Sequence, residues 1–325
     1  MKTPLSTCWK SLTHSGALRI GACLLIAFSA GRLHAASNTW NGTTNSTWDT
    51  TTANWLSPPV WKTGDDATFG TGPTNKAISV SETQSVGNFT VSTAGYTFSG
   101  GTISTTNKTW TINSTTSISS NLTIDTTAGD WSKAGSGSLT LSGNVTQTGA
   151  NRLSINAGKI IFTGNSTLAG ALKFLNTAEF DSGTHTMASF SGGSSASFIV
   201  AGANVTSTGS ATVGNGNAAT LTVNSGSLTV NGSINVGSGA AAGTVNLNGG
   251  VLAATQLYAS ANSSYTQKLI IKGGTFKALA NQSTDLFVFT TGIPPSAPAE
   301  PRSTRTASTS RKPRRSCRTA PKPAA

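Results

Sequence analysis

A short repeat in the second half of this sequence restricts its fold more than any other feature. Three segments align with one another, at residues 221–228 (LTVNSGSL), 245–252 (VNLNGGVL) and 269–276 (LIIKGGTF). The aligned glycines fall at positions 226, 250 and 274, so the interval is the same each time, and weaker copies align at 154–160 and 96–103. A constant period of this length is typical of proteins built from stacked structural repeats.

One repeat unit predicts two short strands joined by a turn. Leu221 and Val223 alternate with polar residues, which places both on one face of a strand. A pair such as Gly249-Gly250 then turns the chain where a positive φ is needed. Intervals of roughly 20 to 25 residues between units match one coil of a β-solenoid. We therefore expect an all-β parallel β-helix of about ten coils, roughly 50 Å long because hydrogen-bonded strands lie about 4.8 Å apart.

The composition agrees with thin repeated strands. Only 10% of the residues are charged, 36% are hydrophobic and 36 residues are glycine. Ser, Thr and Asn compete with the helix for backbone hydrogen bonds, whereas Thr and Val suit a pleated surface. Asn224 and Asn248 would either stack as side-chain ladders or serve simply as turn residues.

The net charge of +12 is concentrated at the two ends of the chain. Residues 1–36 carry +4, residues 291–325 carry +7, and the body between them carries only +1. A nucleic-acid-binding face would need basic residues clustered within the folded body. We therefore expect no nucleic-acid partner.

The first 36 residues are predicted to be a signal peptide. Lys2, Lys10 and Arg19 form a positive segment that precedes an apolar run at 20–30, and Ala35-Ala36 offers a cleavage position. This run is about half of the roughly 20 residues that a membrane span requires, so no transmembrane span is expected in the mature chain. All three cysteines, at positions 8, 23 and 317, lie in the terminal segments. The body must therefore be held by burial and backbone hydrogen bonds alone.

The stretch from residue 291 to residue 325 is rich in Pro and Arg and has no strand pattern. Such a composition predicts a disordered basic tail. The alternative is that this stretch is translated out of frame, because shifting the frame by one base over 294–310 permits another strand–turn unit. The nucleotide sequence of the gene distinguishes the two hypotheses.

Four tryptophans, Trp40, Trp48, Trp55 and Trp61, are concentrated near the start of the body. A solenoid needs its first coil covered, since its apolar end is otherwise exposed. We therefore predict an N-terminal cap at 37–75 in which these rings are buried, followed by β-helix repeats at 76–290. The functional alternative is a glycan contact, with the four rings stacking on sugars.

The body resembles the autotransporter-associated β-strand repeat proteins of bacteria. Residues 133–144 (KAGSGSLTLSGN) are similar to the family phrase, and 153–160 (LSINAGKI) to the phrase that follows it. The openings at 39–42 (TWNG), 53–55 (ANW) and 64–69 (GDDATF) also resemble the start of such proteins, and the resemblance covers roughly residues 38–290.

The resemblance implies a right-handed parallel β-helix passenger that acts as an extended, non-catalytic stalk displayed at, or released from, the cell surface. The chain departs from the family pattern because it lacks a C-terminal run of strands for a translocating barrel and a hydrophobic sorting helix. This departure indicates a truncated or frameshifted product. The expected partners are the export machinery and, at the outer surface, polysaccharide or other cell-surface proteins.

The main alternative function is a polysaccharide lyase or hydrolase, which needs clustered carboxylates. The best candidate catalytic group is Glu179 with Asp181 on one strand face, and His185 four residues further on. The simpler interpretation is two solvent-facing acids near a turn. No motif predicts a cofactor or a metal ion, so neither is expected.

A third function is a glycan-binding or adhesion module that uses the outward Ser, Thr and Asn side chains. Flat arrays of threonine can also bind ice, but the uneven intervals between repeats argue against a regular array. Together these observations favour a non-catalytic protein exported to the outside or the outer-membrane surface of a bacterium.

Overall fold

The computed structural model describes residues 35–259, 265–279 and 286–289, and within these ranges it contains strands and no helix. The predicted tail at 291–325, and all but the last two residues of the predicted signal peptide, lie outside the described residues. The strands are β1 (Ser37–Thr39), β2 (Thr47–Trp48), β3 (Asp66–Phe69), β4 (Ala77–Val86), β5 (Phe89–Val91), β6 (Thr97–Thr105), β7 (Thr109–Ile112), β8 (Thr116–Ile118), β9 (Asn121–Asp125), β10 (Trp131–Ala134), β11 (Ser138–Leu141), β12 (Val145–Thr148), β13 (Leu153–Ile155), β14 (Lys159–Phe162), β15 (Ser166–Phe174), β16 (Thr177–Phe180), β17 (Thr184–Gly192), β18 (Ala196–Val200), β19 (Asn204–Ser207), β20 (Ala211–Asn215), β21 (Ala219–Val223), β22 (Ser227–Ser238), β23 (Gly243–Leu247), β24 (Val251–Ala259), β25 (Gln267–Ile271), β26 (Thr275–Ala278) and β27 (Phe287–Phe289).

The strands wind into a parallel β-solenoid of about nine turns, which confirms the predicted fold class. Each coil visits three faces in the same order, and each strand between the first and last coils pairs in parallel with the strand one coil before it and the strand one coil after it. Face A contains β3, β5, β7, β10, β13 and β20, face B contains β8, β11, β14, β16, β18, β21, β23 and β25, and face C contains β9, β12, β19 and β26. Long strands such as β15, β17, β22 and β24 pair on face C with their first halves and on face A with their second halves.

The core follows from the alternation of side chains along each strand. In β14 and β16 every second residue is buried, and the register places Phe162 beside Phe180. Their rings stack with centroids 4.8 Å apart and an interplanar angle of 6°. Side chains at equivalent positions of successive coils thus pack directly on one another. The result is a single hydrophobic cluster that extends from Trp40 to Leu257.

The alignment of the three strongest repeats is confirmed by the strand register. Leu221 pairs with Val245, and Val245 pairs with Leu269. The glycines 226, 250 and 274 follow in the corner between faces B and C, with φ of 73°, 65° and 79°. A side chain at Gly250 would meet the backbone of the coil before it, so this corner requires glycine.

The alignment of the weaker copy at 154–160 with the three strong repeats is wrong. Gly158 lies between β13 and β14, in the corner that enters face B, whereas Gly226 lies in the corner that leaves it. Both glycines have positive φ, of 65° and 73°. Because both corners need the same backbone conformation, a glycine alone does not identify the corner.

The N-terminal block at 37–75 is packed around its aromatic residues. Trp55 lies with its ring centroid 5.3 Å from that of Trp40, 5.4 Å from Trp48 and 4.5 Å from Trp61. This cluster continues into the first coils through Phe69. The four tryptophans are at most 2% exposed, which places them in the interior as the cap hypothesis predicts.

Polar side chains fix the loops of this block. Asn54 is buried and donates to Asn45 Oδ1 at 2.7 Å and to the Thr47 carbonyl at 2.8 Å. Its Oδ1 accepts from the backbone N–H groups of Thr44 and Asn45, at 3.1 and 3.0 Å. All the hydrogen-bonding capacity of this amide is therefore used inside the protein.

Candidate functional site

The two candidate carboxylates lie together on the outer side of face B. Glu179 points outward from β16 and forms an ion pair with Lys159 of the preceding coil. Asp181 follows directly after β16, and its Oδ1 is buried without a hydrogen-bond partner. The sequence-based expectation that Glu179 and Asp181 share one strand face agrees with this placement.

The surroundings of Asp181 raise the pKa of its carboxyl group above the usual value. Burial raises the pKa of Asp181, and a hydrogen bond to Glu179 and the negative charge of Glu179 raise it further, while Lys159 lowers it. A raised pKa makes a carboxyl group a better proton donor in general acid catalysis. Asp181 is therefore suited to donating a proton.

His185 is directed away from these carboxylates. It occupies an inward position of β17 and is fully buried against the rings of Phe162 and Phe180, at centroid distances of 5.8 and 4.9 Å. Its Nδ1 lies 2.9 Å from Ser166 Oγ and its Nε2 lies 2.7 Å from the Ser182 carbonyl. Burial lowers the pKa of His185, and the bond to the Ser182 carbonyl partly offsets this.

These contacts define the state of the imidazole. A carbonyl can only accept, so Nε2 carries a proton and donates to the Ser182 carbonyl. Burial lowers the pKa of His185 and so favours the neutral imidazole, in which Nδ1 accepts from the Ser166 hydroxyl. The candidate constellation of Glu179, Asp181 and His185 is not brought together, because the histidine faces the interior and the acids face outward.

The four candidate glycan-contact residues are likewise directed inward. Trp40, Trp48, Trp55 and Trp61 pack edge to face or tilted against one another, and the indole N–H of Trp40 donates to the Asn75 carbonyl at 2.9 Å. A ring that stacks on a sugar must present one face to solvent. In this structure the four rings offer no such face.

The structure also contains a buried lysine that the sequence analysis did not single out. Lys133 takes an inward position on β10 and is fully buried. Its ammonium donates to the carbonyls of Gly135, Gly137 and Ala157, at 2.7, 2.6 and 2.7 Å. Burial lowers the pKa of Lys133 to about 8.

The sequence signal for this cage is the phrase at 133–137 (KAGSG). Gly135 adopts a φ of 77°, and together with Gly137 it bends the backbone so that both carbonyls face the ammonium. The alternation Trp131, Lys133 already places the lysine on the buried side of β10. The cage ties two successive coils together, because Ala157 belongs to the next coil.

Face C carries two regular columns of outward side chains. The threonine column pairs directly from strand to strand and consists of Thr123, Thr146, Thr167, Thr186, Thr206 and Thr229. The polar column lies two residues before each threonine, either on the strand or, for Asn144 and Asn165, directly before it. It consists of Asn121, Asn144, Asn165, Thr184, Asn204 and Ser227.

The side chains of the polar column bond to one another and to the backbone of the next coil. Asn165 Nδ2 donates to Asn144 Oδ1 at 3.4 Å, and Asn165 Oδ1 accepts from the backbone N–H of Thr184 at 2.9 Å. Ser227 Oγ donates to Asn204 Oδ1 at 2.8 Å. A similar bond joins Asn248 Nδ2 to Asn224 Oδ1 at 2.9 Å in the neighbouring corner, so these two turn residues also contact each other through their side chains.

No group of three or more His, Cys, Asp or Glu side chains that could hold a metal ion occurs among the described residues. The same residues form no helix that is long and apolar enough to cross a bilayer.

Comparison with known proteins found no match for this chain. No family model matches the chain, and neither a curated protein nor a solved structure matches it.

Proposed function

We propose that this protein is a non-catalytic, exported β-helix that acts as an extended structural or adhesion stalk on the outside of a bacterial cell. The observation that supports this proposal best is the single buried cluster from Trp40 to Leu257. Coils that share one core and one continuous ladder form a stiff element, since each coil is held by both neighbours. The resemblance to autotransporter-associated repeat proteins supports the same proposal.

Export is part of the proposal and has its own test. The protein is produced from its complete gene in a Gram-negative host, and its location is followed by cell fractionation and surface protease digestion. We expect a product whose N-terminus begins near residue 36, accessible at the outer surface or found in the medium. A chain that stays in the cytoplasm with residues 1–36 attached would contradict the proposal.

The second candidate function is cleavage of a polysaccharide by Glu179 and Asp181. It is favoured by one observation, the raised pKa of Asp181 next to Glu179 on an outward face. Against it, Glu179 is already paired with Lys159, and His185 faces the interior, away from the two acids.

An activity assay separates the two functions. The protein is incubated with pectin and other surface glycans, and new chain ends are measured. The stalk proposal predicts no activity above background for wild type. Cleavage that is lost in Glu179→Gln and Asp181→Asn, but kept in the half-buried control Asp125→Asn, would establish the enzyme and exclude the non-catalytic stalk.

A further inference from the structure

The uneven repeat intervals do not disturb the threonine column. Thr167 and Thr186 are closer together in the sequence than Thr123 and Thr146, yet each member pairs directly with the next in the same ladder. The extra residues are accommodated in the corners, such as the register shift between Leu168 and Ala171. The sequence-based argument against a regular array is therefore wrong for face C.

We propose that the outward side of face C binds ice, through the threonine column and the polar column beside it. This inference goes beyond the stalk function and does not depend on it. Six successive coils repeat the same two outward positions. A ligand that contacts all of them must therefore have a matching repeat both along the columns and from one column to the other.

The spacing of the columns can be compared with that of water in ice. Adjacent strands place members of one column about 4.8 Å apart, and the two columns of a parallel strand are about 6.6 Å apart. Tetrahedral water with O–H···O distances of about 2.75 Å has next-nearest oxygens about 4.5 Å apart and a layer repeat of about 7.3 Å. Neighbouring positions differ from their counterparts by less than about 1 Å in each direction, and along the column the difference of about 0.3 Å per strand adds up to about 1.5 Å over the six strands.

The threonine hydroxyls are free to take part in such a lattice. Within the described residues, the side chains of the six threonines have no hydrogen-bond partner in the protein, and Thr146 and Thr167 are exposed. The strand ladder fixes their positions before any water binds, and the bonded polar column holds the neighbouring corner. A surface that is ordered in advance loses little entropy when it orders water.

The two columns also match ice in charge. All twelve positions are occupied by neutral side chains, and an ice surface carries no net charge that would attract a cationic or anionic patch. Each threonine adds a methyl group beside its hydroxyl, so the surface combines hydrogen bonding with weakly hydrated area.

The other faces carry shorter or mixed columns. On face A four threonines, Thr39, Thr68, Thr90 and Thr111, pair in succession before the column changes to alanine. On face B the column through Ile161, Glu179 and Ile199 mixes apolar and charged side chains. Among the described residues, the six members on face C form the longest uninterrupted run of paired threonines.

The test measures how much protein is incorporated when ice is grown slowly from a dilute solution of the full chain. In Thr186→Tyr a bulky ring projects from the middle of the threonine column. The matched control is Thr220→Tyr, because Thr220 is outward and half-buried like Thr186 but lies on face B. Thr186→Val keeps the shape and strand preference while removing one hydroxyl, which guards against a loss caused by misfolding.

We expect wild type and Thr220→Tyr to be incorporated into ice, Thr186→Tyr to lose incorporation, and Thr186→Val to be incorporated less than wild type. Circular dichroism should show the same strand content in all four proteins. The proposal is overturned if wild type is excluded from ice as an inert protein is, or if Thr186→Tyr equals Thr220→Tyr. Binding of wild type to crystalline polysaccharide but not to ice would also overturn it.

Discussion

Replacing Lys133 by methionine tests whether the carbonyl cage stabilises the solenoid. Three charge-assisted hydrogen bonds of about 2 kcal/mol each contribute about 6 kcal/mol. This figure is net of the water that the ammonium gives up, so the burial that lowers the pKa of Lys133 to about 8 is already included in it. We therefore expect Lys133→Met to lower the free energy of unfolding by about 6 kcal/mol.

The assay is urea unfolding at neutral pH, followed by circular dichroism. The matched control is Lys173→Met, because Lys173 points outward on the same face. The control should change the free energy of unfolding by less than about 0.5 kcal/mol, as is usual for surface substitutions. If Lys133→Met is as stable as Lys173→Met, or more stable, the cost of burying the charge outweighs the three bonds and the reasoning is refuted.

Three further predictions concern stability. Acidification from pH 7 to pH 5 should lower the melting temperature of wild type more than that of His185→Gln. The pKa of His185 is lowered in the fold, so the stability that its neutral ring contributes is complete above about pH 6.5 and is lost as the pH falls below that value. Equal pH dependence of the two proteins would contradict this. Asn54→Leu should lower the free energy of urea unfolding by about 2–4 kcal/mol, because it removes a buried amide that holds the backbone N–H groups of Thr44 and Asn45, whereas Asn121→Leu at an exposed position should cost less. Gly192→Ala should cost about 1–3 kcal/mol by placing a methyl group against the ring of Phe174, while an equal melting temperature would show that the ring can move aside.

The stacking of coils could be predicted from the sequence because the strongest repeats have equal length. Leu221, Val245 and Leu269 align in the sequence and pair in the structure for the same reason, namely that one repeat of the sequence completes one coil there. The sequence could not show in the same way which corner of the coil the weaker copy at 154–160 occupies. Two different corners use a glycine with positive φ, and only the strand pairing distinguishes them.

The candidate site was predictable only in part. Glu179 and Asp181 share a face because they are two residues apart on one extended segment. Grouping His185 with them was wrong. The corner at 182–183 separates β16 from β17, so the alternation of inward and outward side chains does not continue from Asp181 to His185. Lys133 follows the alternation, but the usual preference of lysine for water conceals its position. The cage that compensates its burial becomes visible only when the next coil is in place.

The corners of this solenoid and its faces are under different constraints. Between successive members of the threonine column the chain length varies, but the pairing does not. Adding or deleting residues at a corner therefore leaves the exterior pattern intact, whereas a one-residue change within a strand would exchange its inner and outer side chains. Loops at the corners can be lengthened, shortened or replaced in the course of evolution without rebuilding the surface that the faces present.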